Sequence, residues 1–292
     1  MQTGGNMIYR YFIALAYNGL AYSGWQIQPN GVTIQQWMEN GLAAVTGLKT
    51  GITGCGRTDA GVHASQFYAH FDHSHAYSAL ELEQLAFRLN RYLPQDIVVF
   101  KIVPVIPGAH ARFSALWREY EYLVIRYKDP FRFQQAYFVH GDLDIEAMNS
   151  AGRLLSGKHD FQSFSKVNTQ VNNFVCDIHT AKWEEKAHVL QFTIRADRFL
   201  RNMVRAIVGT MLDVGRGKIE IKEFQEIINS KNRCEAGYSV PAKGLTLTGV
   251  GYPEFIFTDH PIGFSEDKGD KIISHYYTGD RFQEDSEDKT SK

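Results

Sequence analysis

Cysteine is nearly absent from this chain. Three residues in 292, Cys55, Cys176 and Cys234, lie far apart and form no C-x-x-C. That spacing excludes a zinc knuckle and a disulfide framework, and it fits a reducing compartment. Long apolar runs are missing too, so no segment reads as a membrane span. Residues Met1 to Asn6 lack a basic-plus-apolar leader pattern. These absences predict a cytoplasmic protein with no membrane partner. Net charge is small, −1 at neutral pH, but unevenly spread. Between Asp259 and Lys292 nine acidic residues face five basic ones, which leaves +3 on residues 1–258. A near-neutral total can hide a basic face, so RNA stays open as a partner. Several catalytic signatures are also lacking. There is no phosphate-binding G-x-x-x-x-G-K-[ST], no G-x-S-x-G elbow, no H-E-x-x-H and no H-x-E…P-C-x-x-C.

Apolar residues make up 44% of the chain, with 19 Phe and 15 Tyr, enough for one large or two ordinary domains. Met7 to Tyr17 reads as a strand. A helix over Ile34 to Thr46 follows, with Thr33 as its cap and Gln36 three residues on. Ser78 or Tyr77 opens a second helix with apolar positions at Leu80, Leu82, Leu85, Phe87 and Leu89, closed by Pro94. Ile97 to Val105 reads as a buried strand, and Pro104, Pro107 and Gly108 then break the pattern. Beyond that break come a strand over Arg118 to Ile125 and a helix over Asp144 to Leu155. Gly157 to Lys166 reads as a polar and aromatic loop. A hairpin pairs Ile178 to Glu184 with His188 to Ala196, and a helix follows to about Val214. A short helix holds Phe224 to Ile228, and Gly244 to Val250 is a closing strand. Both halves therefore run strand, helix, strand, helix, strand in loosely similar order. The predicted organisation is an α+β domain over 7–107, a second over 108–256, and a flexible acidic tail over 257–292.

The chain is built around one stretch, Gly54-Cys55-Gly56-Arg57-Thr58-Asp59-Ala60-Gly61-Val62-His63-Ala64. Three glycines around an Arg and an Asp predict a tight loop that holds a guanidinium and a carboxylate in a fixed pose. The run Ser65 to Phe71 behind it alternates at Phe67, Ala69 and Phe71, as a supporting strand would. The plain alternative is a surface turn whose Arg and Asp pair with each other. Cys55 reads as a small packing residue rather than a nucleophile.

Three further constellations carry possible chemistry. Arg198, Arg201 and Arg205 lie at spacings of three and four, so they can share a helical face. That face is either simply solvated or holds a carboxylate and a phosphate backbone. Tyr120, on the strand after Arg118, is either a packing residue or a base-stacking one whose hydroxyl can take part in acid–base chemistry. His70, Asp72, His73 and His75 could ligate a metal, but alternating histidines of this kind more often face solvent.

The loop as a whole, GCGRTDAGVHA, resembles the active-site signature of the tRNA pseudouridine synthase A (TruA) family. RFSALWREYEY, HDFQSFSK, RFLRNMVRAIVGT and PAKGLTLTGVGYP extend the resemblance from about Met7 to Tyr252. The tail from about Asp259 departs from it. The resemblance implies isomerisation of uridine to pseudouridine in the anticodon arm of tRNA, without cofactor or metal, by a homodimer. It implies two similar α+β (RRM/ferredoxin-like) domains sharing a central antiparallel sheet with an RNA-binding cleft. Carried over, Asp59 looks like the carboxylate acting at the ribose of a flipped uridine, and Arg57 like the residue that fills the vacated space. Tyr120 looks like the aromatic stacked on the base, and Arg205 like the partner that keeps Asp59 ionised. On the spacing argument above, Arg198 and Arg201 are taken as substrate-binding residues together with Tyr120. The carboxylate either attacks C1′ or removes the C2′ proton; the sequence allows both. Two other classes compete: a non-catalytic RNA-binding protein on the same scaffold, and a metal-dependent hydrolase using His70, Asp72, His73 and His75.

Overall fold

The computed structural model describes residues 7–166 and 173–264. Eleven strands form one sheet: β1 (Ile8–Tyr17), β2 (Thr53–Gly54), β3 (His63–His73), β4 (Ile97–Pro104), β5 (Trp117–Ile125), β6 (Tyr137–Phe138), β7 (Gly157–Asp160), β8 (Val175–Lys186), β9 (Val189–Ala196), β10 (Leu245–Gly251) and β11 (Gly263–Phe264). Five α-helices pack with it: α1 (Ile34–Thr46), α2 (Ala79–Tyr92), α3 (Ile145–Leu154), α4 (Met203–Gly215) and α5 (Ile221–Ser230). The strand order is β11-β1-β3-β10-β5-β9-β8-β7, with β4 beside β1, β2 beside β3 and β6 beside β5. The expectation of an antiparallel sheet needs correction. The β10–β3 and β5–β6 pairs are parallel, so the sheet is mixed.

Local chemistry sets the helix ends. Thr33 caps α1 by accepting the Gln36 N–H, and Gly47 closes it at φ 78°. Ser78 and Glu81 form a reciprocal capping box at the start of α2. Asp144 accepts the Ala147 N–H at the start of α3. On α2, Leu82, Leu85, Ala86 and Leu89 face inward. Leu80 and Phe87, expected inside, are each 63% exposed. They lie seven residues apart, two turns along the outward face.

Two cores result. In one, β1, β3 and β4 pack Tyr11, Ile13, Leu15, Phe67 and Val99 among Met38, Leu42, Leu85 and Leu89. In the other, Tyr122, Val124, Trp183, Phe192 and Ile194 meet Met148, Met211 and Phe224. Tyr120 packs against both. Strand β10 ties the halves together. Its Thr246 and Leu247 run parallel to His63 and Ala64, while its other edge is antiparallel to β5. The division expected at 107/108 is crossed a second time near the end of the described chain. Val250 and Ile256 sit in the first core, and Phe257 bridges to Val105. Regular structure continues past 257, since Gly263 pairs with Tyr9. The tail predicted over 257–292 lies outside the described residues from 265 onward. Among the described residues no helix is long and apolar enough to cross a membrane.

Candidate active site

The Arg–Asp loop occupies residues 55–62, between β2 and β3. Strand β3 shares one edge between β2, at Ala69 and His70, and β10, at His63 and Ala64. The loop thus leaves the sheet where the two halves join. Two of its three glycines have clear physical reasons. Gly61 has φ 80°, which a side chain disfavours. A Cβ on Gly54 would lie 2.5 Å from Trp25 Nε1 and 2.8 Å from Phe67 Cζ. At Gly56 a Cβ would meet nothing within 4 Å, so close packing does not explain that glycine. Inside the loop, Thr58 is buried and its hydroxyl pairs with Tyr17 Oη at 2.9 Å. The Val62 N–H closes the turn onto the Asp59 carbonyl at 3.2 Å.

Asp59 presents its carboxylate to two guanidiniums. Arg205 Nη1 lies 3.4 Å from Oδ2, and Arg201 Nε lies 3.8 Å from Oδ1. Arg205 is aimed by a second bond, from Nε to the Val240 carbonyl at 2.7 Å, while the Val240 N–H returns to the Arg205 carbonyl. The shared helical face predicted for the three arginines is not what brings them together. Helix α4 begins at Met203, after Asn202 at φ 67°. Arg198 and Arg201 therefore lie in the preceding loop, and the chain reverses there to bring Arg201 and Arg205 to one carboxylate. The Arg198 N–H donates to Asp197 Oδ1 at 2.6 Å.

Tyr120 stands on β5 beside this group, with its ring edge-on to Phe199 at 5.2 Å. Burial is the largest cause raising its pKa, Cys55 and Asp59 push it further up and Arg118 opposes them, so the hydroxyl stays neutral. Arg57 is exposed, and no hydrogen bond or ion pair holds its side chain among the described residues. It acts on a guanidinium that sequence reasoning passed over, Arg112. Partial desolvation, then Arg57, Arg118 and Arg198 in turn, lower the proton affinity of Arg112. Three cations thus crowd Arg112.

Two residues that organise the site were also missed. Arg118 donates Nη1 to the Ala115 and Asp197 carbonyls at 3.2 and 3.0 Å, and Nη2 to the Cys55 carbonyl at 3.0 Å and to that of Arg112. One side chain so joins the Arg–Asp loop, the HARFSA segment and the arginine loop. His63 accepts the Gly19 N–H at Nδ1, so Nε2 carries the proton and donates to the Lys243 carbonyl at 3.1 Å. Desolvation lowers its pKa and keeps it neutral. Apart from Ala115 and Arg112, their partners lie 44 to 180 residues away, which only the fold reveals.

Cys55 is fully buried, and burial pushes its thiol up to about 11, which suits a packing role. The histidine cluster disperses. Asp72 is gripped by Arg10 at 2.7 Å through both oxygens, and His75 meets Glu81 at 3.1 Å. His70 accepts the Ala111 N–H, and its pKa falls to about 2 through burial and the charge of Arg10. Among the described residues no three His, Cys, Asp or Glu converge as metal ligands, which removes the geometric basis for the hydrolase alternative.

The model of a family described as tRNA pseudouridine synthase matches residues 151–253. A Parabacteroides distasonis protein named tRNA pseudouridine synthase A is 53% identical over 248 residues, 85% of this chain and 98% of its own. A Bacteroides fragilis protein of the same name is 50% identical, covering 86% of this chain and 99% of its own. A Brevibacillus brevis one, again of that name, is 40% identical over 82% of this chain and 97% of its own.

Proposed function

This chain belongs to the tRNA pseudouridine synthase A family, and we propose that it isomerises uridines in the anticodon stem-loop of tRNA, at the expected positions 38–40, with Asp59 as the reacting carboxylate. As a tRNA pseudouridine synthase it is an isomerase: the N1–C1′ bond breaks, the base turns, and C5 joins C1′. The observation that carries the assignment of Asp59 is its setting, one acid between Arg205 and Arg201 at the seam of two cores. An RNA binder gains nothing from an acid among cations beside phosphates. An enzyme that stabilises positive charge developing at a ribose carbon does gain from it.

The other roles follow from position. Arg205 holds the carboxylate from the buried side, with the Val240 carbonyl fixing its angle. Tyr120 offers a neutral aromatic face to the flipped uracil. Arg57, exposed at the loop tip, fills the space the uridine vacates and recovers part of the unstacking cost of a few kcal/mol. Arg198, Arg201 and Arg112 neutralise neighbouring phosphates. The reading extends to two similar RRM-like domains that flank an RNA cleft, supported by the two separate cores. A homodimer in the cytoplasm completes it, and the outward Leu80 and Phe87 offer apolar surface for a second copy.

The test is nucleoside analysis of tRNA transcripts after incubation with the enzyme. Wild type should convert uridine in the anticodon arm to pseudouridine, and Asp59→Ala should not. Arg57→Ala should lose most activity on folded tRNA. Full activity of that variant would remove Arg57 from the flipping step.

A further inference from the structure

A second feature is linked to His63 through Lys243. The segment 126–138, RYKDPFRFQQAYF, alternates basic and aromatic residues. It folds into an ordered loop. The Phe131 N–H donates to Asp129 Oδ1 at 2.8 Å, the Gln135 N–H to the Arg132 carbonyl at 2.9 Å, and β6 re-enters the sheet beside β5. Yet Phe131 is 92% exposed and Phe133 53%. Beside Phe133 lies a hollow of about 360 Å³, lined by Ile125, Pro130, Phe133, Ala136 and Phe138, with Lys128, Lys243 and Asp129 as its charged walls. Lys128 has no ion-pair partner among the described residues. Lys243 donates to the Phe133 carbonyl and so anchors the loop. Its own carbonyl receives His63, four residues from Asp59.

An aromatic ring held in water on a preordered loop is positioned for a planar partner. An apolar hollow with two ammonium groups, its one carboxylate (Asp129) held by Arg132 and the Phe131 N–H, suits a base and its phosphate. Charge complementarity and continuity with the catalytic loop both indicate RNA. We propose that this hollow, together with the exposed Phe131 next to its wall residue Pro130, is a second nucleotide subsite. It takes one unpaired nucleotide of the tRNA other than the one that reacts. The base stacks on Phe131 or Phe133, and Lys128 and Lys243 meet its phosphate. This inference rests on the tRNA reading above.

The experiment uses Phe131→Trp, whose added fluorescence is read against wild type. Quenching of that signal on adding tRNA transcript is expected. Quenching by micromolar uridine 5′-monophosphate alone would overturn the proposal in favour of a free-nucleotide site. A change with protein concentration in the absence of RNA would overturn it in favour of a protein contact. Kinetics supply the second arm. Phe131→Ala should raise KM for tRNA about tenfold with kcat held within about twofold, as loss of a stacking contact common to ground and transition states does. Phe131→Trp should restore KM. Lys128→Ala should reduce the salt dependence of binding by about one phosphate contact. Unchanged KM and an unquenched Trp, while wild type still forms pseudouridine, would refute the subsite and leave the catalytic reading standing.

Discussion

Replacing Arg118 by Ala removes one side chain and breaks four hydrogen bonds to three separate segments. Three of those bonds are partly buried, to the carbonyls of Ala115, Asp197 and Cys55. Charge-assisted bonds of this kind contribute about 1.5 kcal/mol each or somewhat more. The site is only half-buried, so water re-solvates part of what is lost. The net cost should be roughly 2–4 kcal/mol, read as a lower urea midpoint at unchanged slope. The bond to Arg112 is exposed and adds little. Arg118→Lys keeps the charge but cannot span the fork, so it should recover less than half. Activity should fall further than stability. At low denaturant, where the variant is still folded, the Cys55 and Asp197 carbonyls lose their common anchor. The arginine loop then drifts from Asp59, and kcat/KM should drop roughly tenfold to a hundredfold. A loss below about 0.5 kcal/mol, or full rescue by Lys, would refute the staple.

Other outcomes follow from the same geometry. Gly54→Ala forces a methyl into Trp25 and Phe67 and should cost about 1–3 kcal/mol, whereas Gly56→Ala should stay within about 0.5; paired urea melts compare them. His70 has a folded pKa near 2 against an ordinary value of 6.5, so the unfolded chain takes up the proton first. The stability this group confers is intact above pH 6.5 and is lost as pH falls, at about 1.4 kcal/mol per unit. Urea melts between pH 7 and 5 should show that slope, and His70→Gln should flatten it. Arg205→Ala should lower kcat roughly tenfold to a hundredfold, since its bond to Val240 makes it the better-fixed partner of Asp59; Arg201→Ala should do less. Equal effects in single-turnover assays would contradict that ranking.

Long periodic elements were legible in the sequence. The bounds of α1 match the reading to the residue because a Thr cap and a closing Gly frame one apolar stripe. Short strands were not. β7, Gly-Lys-His-Asp, has no apolar period, and only its pairing with β8 makes it a strand. The β8–β9 hairpin turns on Ala187 and His188, both at positive φ, where a three-residue loop around Glu185 was expected. No Gly or Asn marks that turn, so the sheet register imposes it. At the site, Asp59, Arg201 and Arg205 were legible as types; Arg205 was read as the partner of Asp59, while the contact of Arg201 with it was not foreseen. The helix that was to align the arginines starts too late. Left-handed Asn202 sets that start, and it cannot be read from charge spacing. Arg118 and His63 were invisible because their partners are backbone carbonyls and amides, which every residue has.

The central claim is that this fold isomerises uridine through Asp59. Its most direct test is tritium release from [5-³H]uridine-labelled tRNA, with wild type and Asp59→Asn compared and no metal added. C5 gives up its hydrogen only when it becomes the glycosidic carbon. Release by wild type and none by Asp59→Asn is the predicted result. Release by Asp59→Asn at the wild-type rate would contradict the role of Asp59. No release by wild type, with tRNA still bound, would contradict the claim itself and leave an RNA-binding protein in its place.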